Sequence, residues 1–349
     1  MPNVRERLET CDDPDALATE LLAIVPDLAA TQDLQASVKD VAAFLAQEEE
    51  RWSSCVHKLI SYLSEDAQER SVVLELLDAV LLSAAQTQGQ LTLRTQKTLV
   101  QFFQLAITEI TKGEDARRWL KCADQVLTLI YKKREQEQAA VGKGDDGQAT
   151  QWVVDVAGLL LQLRNTLAGN EAASPDLKLE TFVWKNLAKL ATAFGSILAS
   201  CTAFTNSPDE ETSRFSAEDA IAAVVSSVEE SMGQLLRDVS AGEALNAGVL
   251  KFFRLYWRAF HRLLVAFTGV LENELENCVL AIVNVAASLI YAIQQNKDLM
   301  VSKGGQELRN MLDQAVDLIE NLAGNNVDTV NEQATERILT LLCPRTLSK

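Results

Sequence analysis

Side chains that make and break bonds are scarce in this sequence. Its 349 residues include only 2 His, His57 and His261. Neither belongs to a His-Glu-x-x-His or comparable spacing that gathers metal ligands. His57 follows Cys55 by two positions, which on a helix points the two side chains to different faces, so no local thiolate–imidazole pair forms. A Cys–His pair would have to be assembled from distant residues. Gly142-Lys143-Gly144 is not a phosphate loop: no strand precedes it and no Ser or Thr follows Lys143, so amides and a hydroxyl are not brought around a phosphate. The carboxylate runs Glu48-Glu49-Glu50, Glu65-Asp66 and Asp209-Glu210-Glu211 sit at helix boundaries, where they complement a helix dipole or face solvent. Alternating oxygen ligands of the EF-hand kind are missing. No catalytic residue, metal ligand or cofactor is assigned, and the chain is read as a non-enzyme.

The elements around these residues are helical. Only 15 Gly and 6 Pro occur, too few for the turns of an all-β fold, and Leu, Ala, Gln and Glu are plentiful helix formers. Apolar residues recur at steps of three and four. In SVVLELLDAVLL (71–82), Val73, Leu76, Leu77, Val80 and Leu81 make one stripe. Helices are expected near 15–25, 32–48, 51–64, 67–85, 92–111, 114–138, 150–168, 179–204, 217–239, 243–270, 274–295, 304–323 and 327–342. Pro14 suits a first turn, Ser216-Ala217-Glu218-Asp219 resembles a capping box, and Gly89 and Gly113 mark chain reversals.

Short loops between successive helices force antiparallel hairpins. The expected fold is therefore all-α, an irregular α-solenoid of HEAT or armadillo type, with two helical bundles as the alternative. AAVGKGDDGQAT (139–150) reads as a flexible linker between an N-terminal helical region, 1–138, and a C-terminal one, 151–349.

The net charge is −17 and is shared between the halves, with 17 basic and 27 acidic residues before residue 175 and 15 and 22 from there on. That excludes a general nucleic-acid coat but not a local basic patch. The 6 Cys are dispersed, without a Cys-x-x-Cys pair, and read as reduced core thiols. The charged N-terminus is unlike a secretory signal, and CVLAIVNVAASLIYAI (278–293) is short for a bilayer span, reading instead as a helix buried on most sides. An intracellular, soluble protein without a membrane partner is expected.

Binding chemistry concentrates in KFFRLYWRAFHRLL (251–264). At about 100° per residue, Lys251, Arg254, Arg258 and Arg262 share one arc of a helix, while Phe252, Phe253, Tyr256, Trp257, Phe260, Leu263, Leu264 and Phe267 take the other. The rings then belong to the core. The four cations either pair with acids such as Glu272, Glu274 and Glu276 or bind a polyanion or an acidic partner. A second basic group comprises Arg117, Arg118 and Lys121, then Lys132, Lys133 and Arg134; the latter three stand near a helix C-terminus, which suffices to explain them, with a partner site as the alternative. Trp184 in LKLETFVWKNLAKLATAF (177–194) is either a core anchor or an interface anchor.

Three segments in this order, LTLRTQKTLVQFFQLAITEI (91–110), LETFVWKNLAKLATAF (179–194) and VLKFFRLYWRAFHRLLVAF (249–267), resemble the N-terminal part of the fidgetin-like-interacting regulator of recombination and mitosis (FIRRM/FLIP) family. The resemblance covers about residues 90–295. It implies a nuclear, non-enzymatic helical scaffold that works with a fidgetin-like AAA ATPase to control a DNA recombinase, in DNA recombination and repair. Members of that family are longer, so the chain would be a fragment or a shortened relative. No functional residue transfers. The residues themselves support a helical scaffold or adaptor for a protein partner, with nucleic-acid binding through the basic helix face as the alternative.

Overall fold

Asp13-Pro14-Asp15 opens a helix because each of its first two residues removes a cost of starting one. Asp13 accepts hydrogen bonds from the backbone N–H of Asp15 at 3.1 Å and of Ala16 at 2.9 Å, and Pro14 has no N–H to satisfy. Ser216 accepts from the N–H of Asp219 at 3.2 Å and Asn246 from that of Gly248 at 2.8 Å, starting two later helices in the same way. Gly113 ends a helix at φ 87°, a left-handed conformation that a residue without a Cβ reaches freely. Gly89 lies outside the described residues.

The computed structural model describes residues 4–64, 69–87, 91–113, 115–140, 150–168, 176–200, 215–241, 246–269, 271, 275–295 and 303–324. Among these residues there are thirteen α-helices and no strand: α1 (Val4–Glu9), α2 (Pro14–Ala29), α3 (Leu34–Leu45), α4 (Glu49–Ser64), α5 (Arg70–Ala84), α6 (Leu93–Lys112), α7 (Ala116–Ala140), α8 (Thr150–Ala168), α9 (Leu177–Ser200), α10 (Ala217–Ser240), α11 (Ala247–Phe267), α12 (Leu275–Gln295) and α13 (Lys303–Gly324). The fold is all-α. The expected helix at 327–342 lies outside the described residues. α1 escapes a periodicity argument because it is six residues long and buries only Leu8.

Contacts divide the chain into two compact units, Met1–Phe182 and Val183–Lys349. The division falls within α9 rather than at 139–150, which differs from the regions 1–138 and 151–349 read from the sequence. α8 belongs to the first unit because Val153, Val156, Ala157, Leu160 and Leu163 are fully buried and α6 packs against it. Residues 141–149 are outside the described residues.

In the first unit each helix packs on its next-but-one neighbour. α2, α4, α6 and α8 follow one another in one row, α1, α3, α5 and α7 in a second, and α1–α2, α4–α5 and α6–α7 join the rows. α5 lies in the middle, touching α2, α3, α4 and α7. Its stripe of Val73, Leu76, Leu77, Val80 and Leu81 is fully buried, each side chain stabilising the fold by about 1.5–3 kcal/mol relative to exposure. Val72 and Leu74 are buried as well, as befits a helix apolar on most sides. Ring contacts link α6 to α7 through Phe102 and Trp119, with centroids 6.0 Å apart, and to the start of α9 through Phe103 and Phe182 at 6.5 Å.

In the second unit one next-but-one pair is joined by sequential neighbours. α10 packs on α11 and on α12, and α12 packs on α13. Ser227 and Ser231 lie on the buried face of α10 and return their hydroxyls to the carbonyls of Ala223 (3.1 Å) and Val228 (3.0 Å), so small side chains reach the interior without an unpaired donor. The apolar window Asn277–Gln294 of α12 is long and apolar enough to cross a membrane by length and composition, with mean hydropathy 1.7. Half of that window is buried, and Leu280 (50% exposed) and Tyr291 (45%) face outward with Asn277 and Asn284. α12 is thus buried on most sides, as expected: α10 and α13 pack on it, and among the described residues only the side carrying Leu280, Asn284 and Tyr291 is exposed.

Candidate functional site: the cationic face of α11

α11 forms because Asn246 caps its start and because seven of its side chains, Phe253, Tyr256, Trp257, Phe260, Leu263, Leu264 and Phe267, find a buried place together. Trp257 packs on Phe260 at 5.7 Å and Phe215 on Phe267 at 6.0 Å. The rings are therefore core side chains, as their spacing indicates, and do not form a stacking platform for bases. Only Phe252 is half-buried, stacked on Tyr256 at 5.9 Å.

This packing fixes where the cations go. Lys251, Arg258 and Arg262 are exposed and make no ion pair among the described residues. Arg254 differs. It is half-buried and its guanidinium lies 3.1 Å from Glu307 Oε1 on α13. The acids expected to neutralise the row, Glu272, Glu274 and Glu276, carry side chains outside the described residues; the partner that is found comes from α13 instead.

A second side-chain contact joins α13 to this helix. Trp257 Nε1 donates to Gln314 Oε1 at 3.0 Å. Half-buried His261 has its pKa lowered below 6.5, first by burial and then by Arg262, while Asp317 acts in the opposite direction. Positions 254 and 257 thus meet 307 and 314, so α13 runs in the same direction as α11 and lays polar side chains along its flank. Leu308, Met311, Ala315 and Leu318, spaced by three or four, are the buried face of α13. Sequence reading missed this pairing because Glu307 is 53 residues from Arg254. The available signal was the segregation of Glu307, Gln314 and Asp317 away from that apolar stripe.

Trp184 is fully buried and meets Tyr256 edge-on, with centroids 6.3 Å apart and planes at 84°. It is a core anchor. As an interface anchor it is corrected, because it has no surface to offer a partner. In the second basic group, Lys121 pairs with Asp78 at 2.6 Å and Arg118 with Asp115 at 2.6 Å, while Arg117 is exposed. Lys133 is buried and donates from Nζ to the carbonyl oxygen of Thr87 at 2.6 Å. Its charge serves the carbonyls beyond the end of α5, not the end of its own helix, and burial lowers its pKa. The side chain of Arg134 is outside the described residues.

Glu49, from the first acidic run, accepts from the N–H of Thr92 (2.8 Å) and the hydroxyl of Thr95 (2.6 Å), so it caps the start of α6. Glu65, Asp66 and 209–211 are outside the described residues. Cys55 is buried, with its thiol pushed up to about 12 by burial, whereas His57 on the same helix is exposed. Cys122 is also pushed up to about 12 and donates to the carbonyl of Leu74 at 3.2 Å. Cys11, Cys55 and Cys122 are free thiols and Cys278 is buried; Cys201 and Cys343 are outside the described residues. Among the described residues no group of three His, Cys, Asp or Glu side chains could hold a metal ion.

What this face can do is bind anions: three solvated cations, on one side of one rigid helix, can meet carboxylates or phosphates with no chemistry beyond charge and hydrogen bonding. No family model matches the chain, and neither a curated protein nor a solved structure matches it.

Proposed function

We propose that the chain is a non-enzymatic helical scaffold that holds a protein partner on the cationic face of α11, with its paired helices stacked as an irregular solenoid. The observation that carries this reading is that Lys251, Arg258 and Arg262 stand exposed, with no ion pair among the described residues, in a protein of net charge −17. An acidic chain that keeps three cations on one face, while Arg254 beside them is neutralised, holds a local site of the opposite sign to the rest of its surface. The next-but-one packing of helices supports a scaffold, since that arrangement repeats faces along its length.

The test is affinity capture from cell extract with the wild-type chain and with Lys251→Glu/Arg258→Glu/Arg262→Glu, each folded by circular dichroism. A specific protein recovered by the first and lost by the second is the expected outcome. The resemblance to the FIRRM/FLIP family makes a fidgetin-like AAA ATPase, in the nucleus, the first partner to try. The same three cations support a second reading, a nucleic-acid site. It requires that the affinity for DNA or RNA fall with salt and with the triple substitution. The overall negative charge weighs against it. If the triple variant captures the same proteins as the wild type, the α11 reading is wrong.

A further inference from the structure

The exposed side of α11 has a second regularity beyond its charge. Lys251, Leu255, Arg258, Arg262 and Val265 follow one another at steps of four, three, four and three residues, the period at which one helix meets another along a seam. Val265 is the most exposed large apolar side chain among the described residues, at 63%, and Leu255 is half-buried. A row of cations alone would suit any polyanion. A row interrupted by Leu255 and ended by Val265 at helical spacing suits a ligand that alternates acidic and apolar groups along a rod.

The flank beside this row is already met by polar side chains of the same protein. α13 lies along the neighbouring flank of α11, with Glu307 on Arg254, Gln314 on Trp257 and Asp317 acting on His261. Its own apolar face is turned to α12. α11 is therefore already partnered on one flank by a helix that presents acids and amides to it.

We propose that the Lys251–Val265 face receives an acidic amphipathic helix of the partner protein, with carboxylates opposite Lys251, Arg258 and Arg262 and apolar side chains opposite Leu255 and Val265. This rests on the reading of α11 as a protein-binding face and specifies what occupies it. The carboxylates set register and sign, and Leu255 with Val265 supplies the apolar contact that distinguishes a helix from an extended acidic tail or a phosphate backbone. A nucleic acid has no side chain to place on Val265.

The experiment uses the full chain and helix-stapled peptides of about five turns. One places Glu and Leu to match the row and is made in both chain senses; its control has the same composition in scrambled order. A DNA oligonucleotide is the third probe. The matched peptide is expected to bind about tenfold more tightly than its scrambled control, the surplus expected from a few exposed ion pairs and one apolar contact. Binding should be lost in Lys251→Glu/Arg258→Glu/Arg262→Glu and weakened about threefold in Val265→Ser, an exposed position whose replacement leaves the core intact. Equal binding of matched and scrambled peptides overturns the helix while leaving the cationic face in place. DNA binding that outcompetes both peptides overturns the protein reading as well. Peptide binding unchanged by the triple substitution places the contact elsewhere and overturns both.

Discussion

Arg70 Nη2 lies 2.6 Å from Glu109 Oε2, joining the start of α5 to the end of α6 through a carboxylate that is only 6% exposed. The same guanidinium sits over the Trp119 ring, 5.4 Å from its centroid, and Lys112 reaches the other oxygen of Glu109 at 2.7 Å. The two cations on this acid are not equivalent. Lys112 is 59% exposed and Arg70 is 23% exposed.

Arg70→Ala therefore leaves a buried charge short of its inner partner and removes a cation–π contact, and is expected to cost about 2–4 kcal/mol. Lys112→Ala is expected to cost less than about 1 kcal/mol, as an exposed pair does. Urea unfolding of the two variants decides; equal losses would show that the inner contact contributes no more than the outer one.

Removing the ammonium of Lys133 takes a donor away from the Thr87 carbonyl. Lys133→Ala loses this donor and packing volume together, and about 1–3 kcal/mol of stability is expected to go with them. Lys133→Met keeps the stem and should lose less. A chemical-denaturation midpoint unchanged in both variants would contradict the contact.

His261 gives a pH dependence whose sign follows from its lowered pKa. As pH falls through 6.5, the unfolded chain takes up the proton first, so the native state loses stability until pH passes below the folded value. Arg262 opposes the imidazolium and Asp317 favours it, but burial is the largest influence. The His261→Gln variant should lack this component. Denaturant midpoints at a pH above 6.5 and at one well below it, in wild type and variant, should converge at the lower pH; a parallel shift of both proteins would assign the effect to other groups.

Trp184→Ala should remove about 3–5 kcal/mol, because a fully buried indole leaves a cavity beside Tyr256. The milder Trp184→Phe is expected to stay folded and to capture the same partner as the wild type. Loss of capture by folded Trp184→Phe would return this residue to the interface.

The helices and the division of α11 into a ring side and a cation side were legible in the sequence, because periodicity is a local property and burial follows from it. Pro14, Gly113 and Ser216 likewise announced their roles through chemistry confined to a few adjacent residues. Partners were not legible. Arg254 meets Glu307, Arg70 meets Glu109 and Lys133 meets Thr87 across 53, 39 and 46 residues, and nothing in a local pattern selects one distant acid or carbonyl over another. For the same reason Lys133 reads as one more charge near a helix end until the fold turns it inward. The glycines at 142, 144 and 147 suggested a domain boundary, but the helix that follows them packs on α6 and belongs to the first unit.

The next-but-one packing of α1 to α8 bears on how the chain is made as well as on what it displays. Most of the contacts that bury each of these helices come from segments one or two elements away, so loop-closure entropy is modest and native contacts form early. Each helix leaving the ribosome meets the surface it needs on a helix already emerged. Maturation can then proceed from the N-terminus onward during synthesis, and a chain halted after α6 should already hold α2 against α4 and α3 against α5.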